Sequence, residues 1–402
     1  MTNIMSFFKI GNIIETFEGL TNLQKILSLI IFASLIYSSF ATVSYSIFLK
    51  LQQVDYKESA SFSPPGPSAA LEEDPNEPRT EKCPLNGNLH TKKAKDFWEA
   101  RRPLAVMIEN HQEARPQSGL TSADLIYEAV AEGGITRFMA VYYCNLSDVQ
   151  IGPVRSARTY YLDWLSEYDA LYGHVGGANT PGPADALGQI IRYGIKGLNQ
   201  FSIGFPVFWR DYQRLGHPVA TEHTMYSTTQ KLWEVGAKRG WSATDSAGIR
   251  WDKNFIPWKF KEDPSTSSGQ VTKIIVNFWQ SQPAYQVTWT YDITSNSYKR
   301  KNGDDYIDLN NKTQLSAKNI VVQFLRESNA NDGYPGNVHL LYGTIGSGKA
   351  LIFQDGNVVE GKWTKQSRTS RTKFTDKSGK EIEFIRGQIW IQTVPEGSKV
   401  TY

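Results

Sequence analysis

Leu125–Tyr143 reads LIYEAVAEGGITRFMAVYY. Two strand-like runs, Leu125–Ala131 and Ile135–Tyr143, meet across Gly133-Gly134. A Gly-Gly pair suits a two-residue hairpin turn, because both residues take positive φ without steric cost. With that loop, Glu132 faces Ile135, Val130 faces Arg137 and Glu128 faces Met139. Strand side chains alternate with period two, so Glu128, Glu132 and Arg137 are predicted to share one face with Ile126, Val130, Ile135, Met139 and Val141. Three ionisable groups on an apolar face are costly unless paired. They read either as an internal Glu–Arg cluster or as the polar floor of a pocket, since perturbed charges concentrate at sites.

Around the hairpin, strand and helix signals mix. Pro103–Asn110 (PLAVMIEN) is an apolar run that reads as a buried strand. It ends on Glu109 and Asn110, followed by His111 and Arg115, and polar residues that lead from a strand into a long loop often contribute to sites. Ser156–Tyr168 carries Tyr161, Trp164, Leu165 and Tyr168 at helical spacing. Just before it, Gly152–Arg158 (GPVRSAR) places Arg155 and Arg158 three apart at the predicted helix start, where they point roughly the same way. Cations there oppose the helix dipole. Something negative should offset them: Glu109, Glu128 or Glu132 from within, or a bound anion. Leu171–Gly176 is a further strand and carries His174; a lone histidine, like His223 in Thr221–Thr224, is more often structural than catalytic. Helices are predicted from Thr180 to Gly194 and over Thr228–Lys238.

Residues 83–250 therefore form a mixed α/β domain, 251–272 a Pro- and Ser-containing linker, and 273–402 a mostly β domain, barrel or sandwich-like. The fold class is α+β behind an N-terminal transmembrane helix. Ile26–Leu49 is 24 residues without a charge, enough to cross a bilayer, bracketed by Lys25 and Lys50. A cleavable signal peptide ending near Ser39-Phe40-Ala41 is the alternative, but the apolar run continues past that point. Residues 1–25 read as a cytoplasmic tail, 26–49 as the anchor and 50–82 as a Pro- and Ser-rich stalk. Flanking lysines balance, so charge does not fix the orientation. Cys83 and Cys144 lie beyond the anchor and are a disulfide candidate, or two separate buried thiols.

Composition narrows the function. With 402 residues, 43 Lys+Arg against 40 Asp+Glu and 40% hydrophobic content, the chain is globular and too evenly charged to be read as a nucleic-acid binder. Two cysteines exclude a disulfide scaffold and a four-cysteine zinc site. GTIGSGK at Gly343–Lys349 lacks the Ser/Thr and the helix that a phosphate loop requires. No H-E-x-x-H or G-x-S-x-G occurs, and the six histidines show no metal spacing, so neither metal nor cofactor is predicted.

RPLAVMIEN (102–110), ARPQSGL (114–120), ADLIYEAVAEGGITRFMAVY (123–142) and GPVRSAR (152–158), then YGHVGGA (172–178) and FWRD (208–211), resemble the YerB-like family of bacterial envelope lipoproteins. YDITSNSYKR (291–300), GSGKALIFQDGNVVEGKW (346–363), TKFTDKSGKEIEF (372–384) and GQIWIQTVP (387–395) resemble its second domain. The resemblance implies a mixed α/β domain followed by a β domain, outside the cytoplasmic membrane. It transfers no catalytic residue. The chain departs from the family in carrying no cysteine before Cys83 for a lipid anchor.

Two functions are weighed, with a protein-interaction scaffold as a third. In the first, a membrane-anchored envelope protein binds an anionic wall glycopolymer, muropeptide or partner peptide. Arg115, Arg137, Arg155 and Arg158 hold the anion, and Glu109, Asn110 and His174 add directional hydrogen bonds. In the second, it cleaves glycans with Glu109 and either Glu128 or Glu132, since Glu128 and Glu132 are ~13 Å apart on one strand and too distant to act as a pair.

Overall fold

The computed structural model describes residues 17–52, 73–264, 269–279, 281–334 and 339–402. Residues 1–16 of the expected tail, 53–72 of the expected stalk and 265–268 of the expected linker lie outside the described residues. Asn22–Gln52 is one helix, and its Asn22–Ser44 stretch is long and apolar enough to cross a membrane.

In the folded body, ten strands make one sheet. In chain order they are β1 (Leu104–Glu109), β2 (Leu125–Glu132), β3 (Ile135–Tyr142), β4 (Leu171–His174), β5 (Lys196–Asn199), β6 (Asn319–Leu325), β7 (Gly346–Gln354), β8 (Asn357–Lys365), β9 (Lys373–Asp376) and β10 (Ile389–Pro395). Their spatial order is β9-β8-β7-β6-β10-β2-β3-β1-β4-β5. The centre is the parallel pairing of β10 with β2, which joins strands from the two halves of the chain. The β-rich C-terminal region is thus not a self-contained barrel: β6–β10 share a sheet with β1–β5. Six further strands form a second, antiparallel sheet built on Lys273–Val276, Val287–Asp292 and Ser297–Asn302, and Glu327–Asn329 pairs separately with Leu340–Tyr342. Between the halves, Trp251 and Trp258 are buried, and Lys259–Lys261 pairs in parallel with Glu383–Ile385.

Both faces of the large sheet are covered, which explains why β1 is apolar on both sides until Glu109. One face carries Ile108, Glu128, Phe138, Trp390 and Gln392 and meets the second sheet, where Trp289 packs edge-on against Trp390. On the other face, Tyr127 stacks on Trp164 of the helix Thr159–Leu165, and the Tyr161 hydroxyl donates to the Arg137 carbonyl. Cys83 and Cys144 are joined by a disulfide that ties the start of the body to the end of β3.

The hairpin turn forms as its glycines require: Gly133 and Gly134 have φ of 56° and 79°. Beyond it the expected register breaks. Glu132 faces Ile135, but Val130 faces Thr136, Ala129 faces Arg137 and Glu128 faces Phe138. A β-bulge between Val130 and Glu132 inserts one residue, and a slip of one sends every earlier side chain to the opposite face. Glu128 therefore does not share a face with Glu132 and Arg137.

Candidate functional site

The bulge separates two polar clusters. On the face under the second sheet, Glu128 is fully buried and accepts five hydrogen bonds. Arg300 supplies two, both at 2.8 Å, and the others come from Thr136 Oγ1, Trp390 Nε1 and Gln392 Nε2, each at 3.0 Å. The Arg300 guanidinium, equally buried, sits 4.6–5.4 Å from the ring centroids of Phe138, Trp289, Tyr306 and Trp390. Asn110 continues this network. Its Nδ2 donates to Thr136 Oγ1 at 2.7 Å, and its Oδ1 accepts from Arg115 Nε at 3.1 Å. Arg115 also donates to the Ala284 carbonyl and lies over the Tyr285 ring. Glu128, Asn110 and Arg115 are thus matched inside the body, where they clasp its two halves.

The opposite face carries Glu109, which is directly opposite Arg137 in the β1–β3 pairing. Arg137 donates to Glu132 at 2.9 Å and to the Ser156 carbonyl at 3.2 Å, and Arg158 forms a second ion pair with Glu132. Burial pushes the Glu132 carboxyl up, but Arg137 and Arg158 more than offset it and hold it below the usual range. Glu109 receives Arg155 Nε on one oxygen at 3.1 Å and His223 Nδ1 on the other at 2.8 Å.

Arg155 and Arg158 do not share a helix face. The helix begins at Thr159, Arg158 is its extended N-cap residue, and Arg155 precedes it in an extended segment whose N–H donates to the Met107 carbonyl. They reach different carboxylates, so the expected shared anion grip is absent. Of the expected site residues, Arg155 borders an open cleft. It is 26% exposed and lines a 550 Å³ cleft with Ser156, Asn179, Phe201, Arg210 and Glu222. Among the described residues, only its Nε is engaged with an acceptor.

His174 lies behind that cleft. It is buried against Tyr172, with Nδ1 2.8 Å from the Gly176 carbonyl oxygen and Nε2 lacking a partner among the described residues. Burial pushes its pKa down to about 4, so it is a neutral core histidine at physiological pH. The unfolded chain then binds more protons than the folded one between pH ~6.5 and ~4, and acidification through that window destabilises the fold by up to about 3 kcal/mol. In His174→Gln, pH-dependent unfolding is expected to show a visibly shallower loss over this range.

Models of the DUF3048 family, described as proteins of unknown function, match residues 87–242 with its N-terminal domain and 274–391 with its C-terminal domain. The chain belongs to this YerB-like DUF3048 family. The candidate lipoprotein YerB of Bacillus subtilis (strain 168) is 30% identical over 319 residues, 78% of this chain and 86% of its own length. The crystal structure of YerB from Bacillus subtilis aligns with a TM-score of 0.66 at 26% identity, covering 80% of this chain and all of that one.

In this DUF3048 protein, sequence reasoning missed Arg300 and Arg210. Arg300 left a signal: it lies two residues from the buried Tyr298 on one strand, so alternation sends both inward. Arg210 left none, because only the fold brings it to the cleft.

Proposed function

We propose that this DUF3048 protein is anchored by its N-terminal helix with the body outside the cytoplasmic membrane, where its cleft binds an anionic wall glycopolymer or muropeptide. The N-terminal apolar helix and the similarity to a candidate lipoprotein support membrane anchoring. The Cys83–Cys144 disulfide supports an oxidising, extracytoplasmic side. The observation that carries the ligand reading is Arg155. Glu109 holds it by one nitrogen, and it lines a cleft together with Arg210 and with Phe201, which is 76% exposed. Fixed guanidinium donors suit carboxylate or phosphate, and an exposed ring offers a stacking surface for a sugar.

Glycan cleavage has weaker support. Glu128 is sealed by five donors, Glu109 is held by Arg155 and His223, and Glu132 by Arg137 and Arg158. None of these carboxylates is placed to exchange protons with a substrate.

The full chain in detergent, titrated with muropeptides by calorimetry, is expected to bind less tightly as salt is raised. Arg155→Ala is expected to weaken binding ~10–100-fold, the range for a lost charge-assisted hydrogen bond. Unchanged affinity in Arg155→Ala would remove the proposal.

A further inference from the structure

Beside the cleft, the 3-10 turn Gln112–Ala114 follows β1 and the 3-10 turn Thr221–His223 comes from far along the chain. They bring together His111, Glu113 and His223. One ring nitrogen from each histidine and one Glu113 carboxylate oxygen lie within 4.8 Å of one another. We propose that these three side chains bind a divalent transition metal of the zinc class.

Three observations carry the proposal. First, the donor set is two imidazoles and a carboxylate, the chemistry that suits borderline divalent cations. Second, His223 Nε2 and Glu113 Oε2 are 3.5 Å apart. That is long for a hydrogen bond, yet close to the edge of a tetrahedron around zinc, ~3.4 Å for metal–ligand distances near 2.1 Å. Third, His223 already has its outer partner. Buried Glu109 takes its Nδ1 at 2.8 Å, which orients the ring and leaves Nε2 toward Glu113, as in carboxylate–histidine–metal arrangements. The His111 and His223 rings stack in parallel with centroids 4.7 Å apart, and His111 Nδ1 accepts from the Glu113 N–H, so His111 would offer Nε2 once its ring turns toward the shared ion.

Glu109, Glu113 and Glu222 gather here, and the nearby guanidiniums already have acceptors: Arg155 has Glu109, Arg210 the Thr221 carbonyl and Arg214 the His223 carbonyl. Three protein donors leave a fourth tetrahedral position for water or a ligand oxygen. Thr221 and Glu222, adjacent to His223 in the chain, line the cleft that holds Arg155. The metal would therefore stand next to the proposed anion site, while being bound independently of it.

The test uses the full chain in detergent, stripped with chelator and titrated with Zn²⁺ or Co²⁺ alone. One equivalent is expected to bind, with Co²⁺ developing the visible absorption of a tetrahedral site. Glu113 is 59% exposed, so Glu113→Gln leaves the fold intact while removing a donor. It and His111→Ala are each expected to weaken binding by more than the ~10–100-fold typical of losing an outer partner, and Glu109→Gln by about that range. No stoichiometric binding, or binding unchanged in Glu113→Gln and His111→Ala, would overturn the site. Because no muropeptide is present, either result is independent of the Arg155 reading.

Discussion

Arg300→Met is expected to destabilise the folded body by about 3–5 kcal/mol, the cost of leaving one member of a buried ion pair without its partner. Glu128 and Arg300 are both fully buried, so neither can recover its lost partner from water. The remaining donors from Thr136, Trp390 and Gln392 keep Glu128 hydrogen-bonded but do not supply a countercharge. Glu128→Gln is expected to cost a similar amount, since it strands Arg300 among four aromatic rings. The double variant removes both charges and should cost less than the sum, with a coupling of about 1–3 kcal/mol in a denaturation cycle. Strict additivity would show that the pair does not act as a clasp. The same cycle separates structure from chemistry: if Glu128 were catalytic, Glu128→Gln would abolish an activity and leave stability nearly unchanged.

Glu167→Gln is the second large effect, again about 3–5 kcal/mol. Glu167 follows the helix over the sheet and accepts from Lys365 Nζ at 2.8 Å, Arg371 Nη1 at 2.9 Å and Thr372. All three charged groups are buried. Burial pushes the Lys365 ammonium down, and Glu167 opposes that shift. Removing the carboxylate leaves two buried cations and lowers Lys365 further. In the variant, the folded state then binds fewer protons than the unfolded state below the ordinary lysine range, so its stability should rise as pH increases from neutrality toward that range. The wild-type protein, in which Glu167 partly offsets the burial of Lys365, should show a flatter profile. Parallel profiles for the two proteins would contradict this account.

Much of the fold was legible in local sequence. The Gly133-Gly134 turn, the apolar run of β1 and the helix expected over Thr228–Lys238 each depend on residues close in the chain, and each appears in the structure, the helix as Thr229–Lys238 behind a Thr228 cap. The helix expected from Thr180 begins instead at Ala186 behind the Asp185 cap, because Asp185 accepts from the Gly188 N–H. The candidate site was legible only in part. Glu109 and Arg155 were named from their positions at a strand end and an arginine pair, and they do form an ion pair. Their link to His223 joins residues remote in sequence and follows no spacing rule.

By itself, the sequence determined the elements, the apolar N-terminal helix and the family, because periodicity, turn chemistry and long motifs are properties of neighbouring residues. Tertiary structure decided which charges meet. One residue inserted at the bulge turned Glu128 away from Arg137 and toward Arg300, and two distant 3-10 turns brought His111 to His223. Alternation predicts which residues share a face only while the register holds. That register, like the partner of a buried charge, is set by strands and loops that the local pattern does not encode.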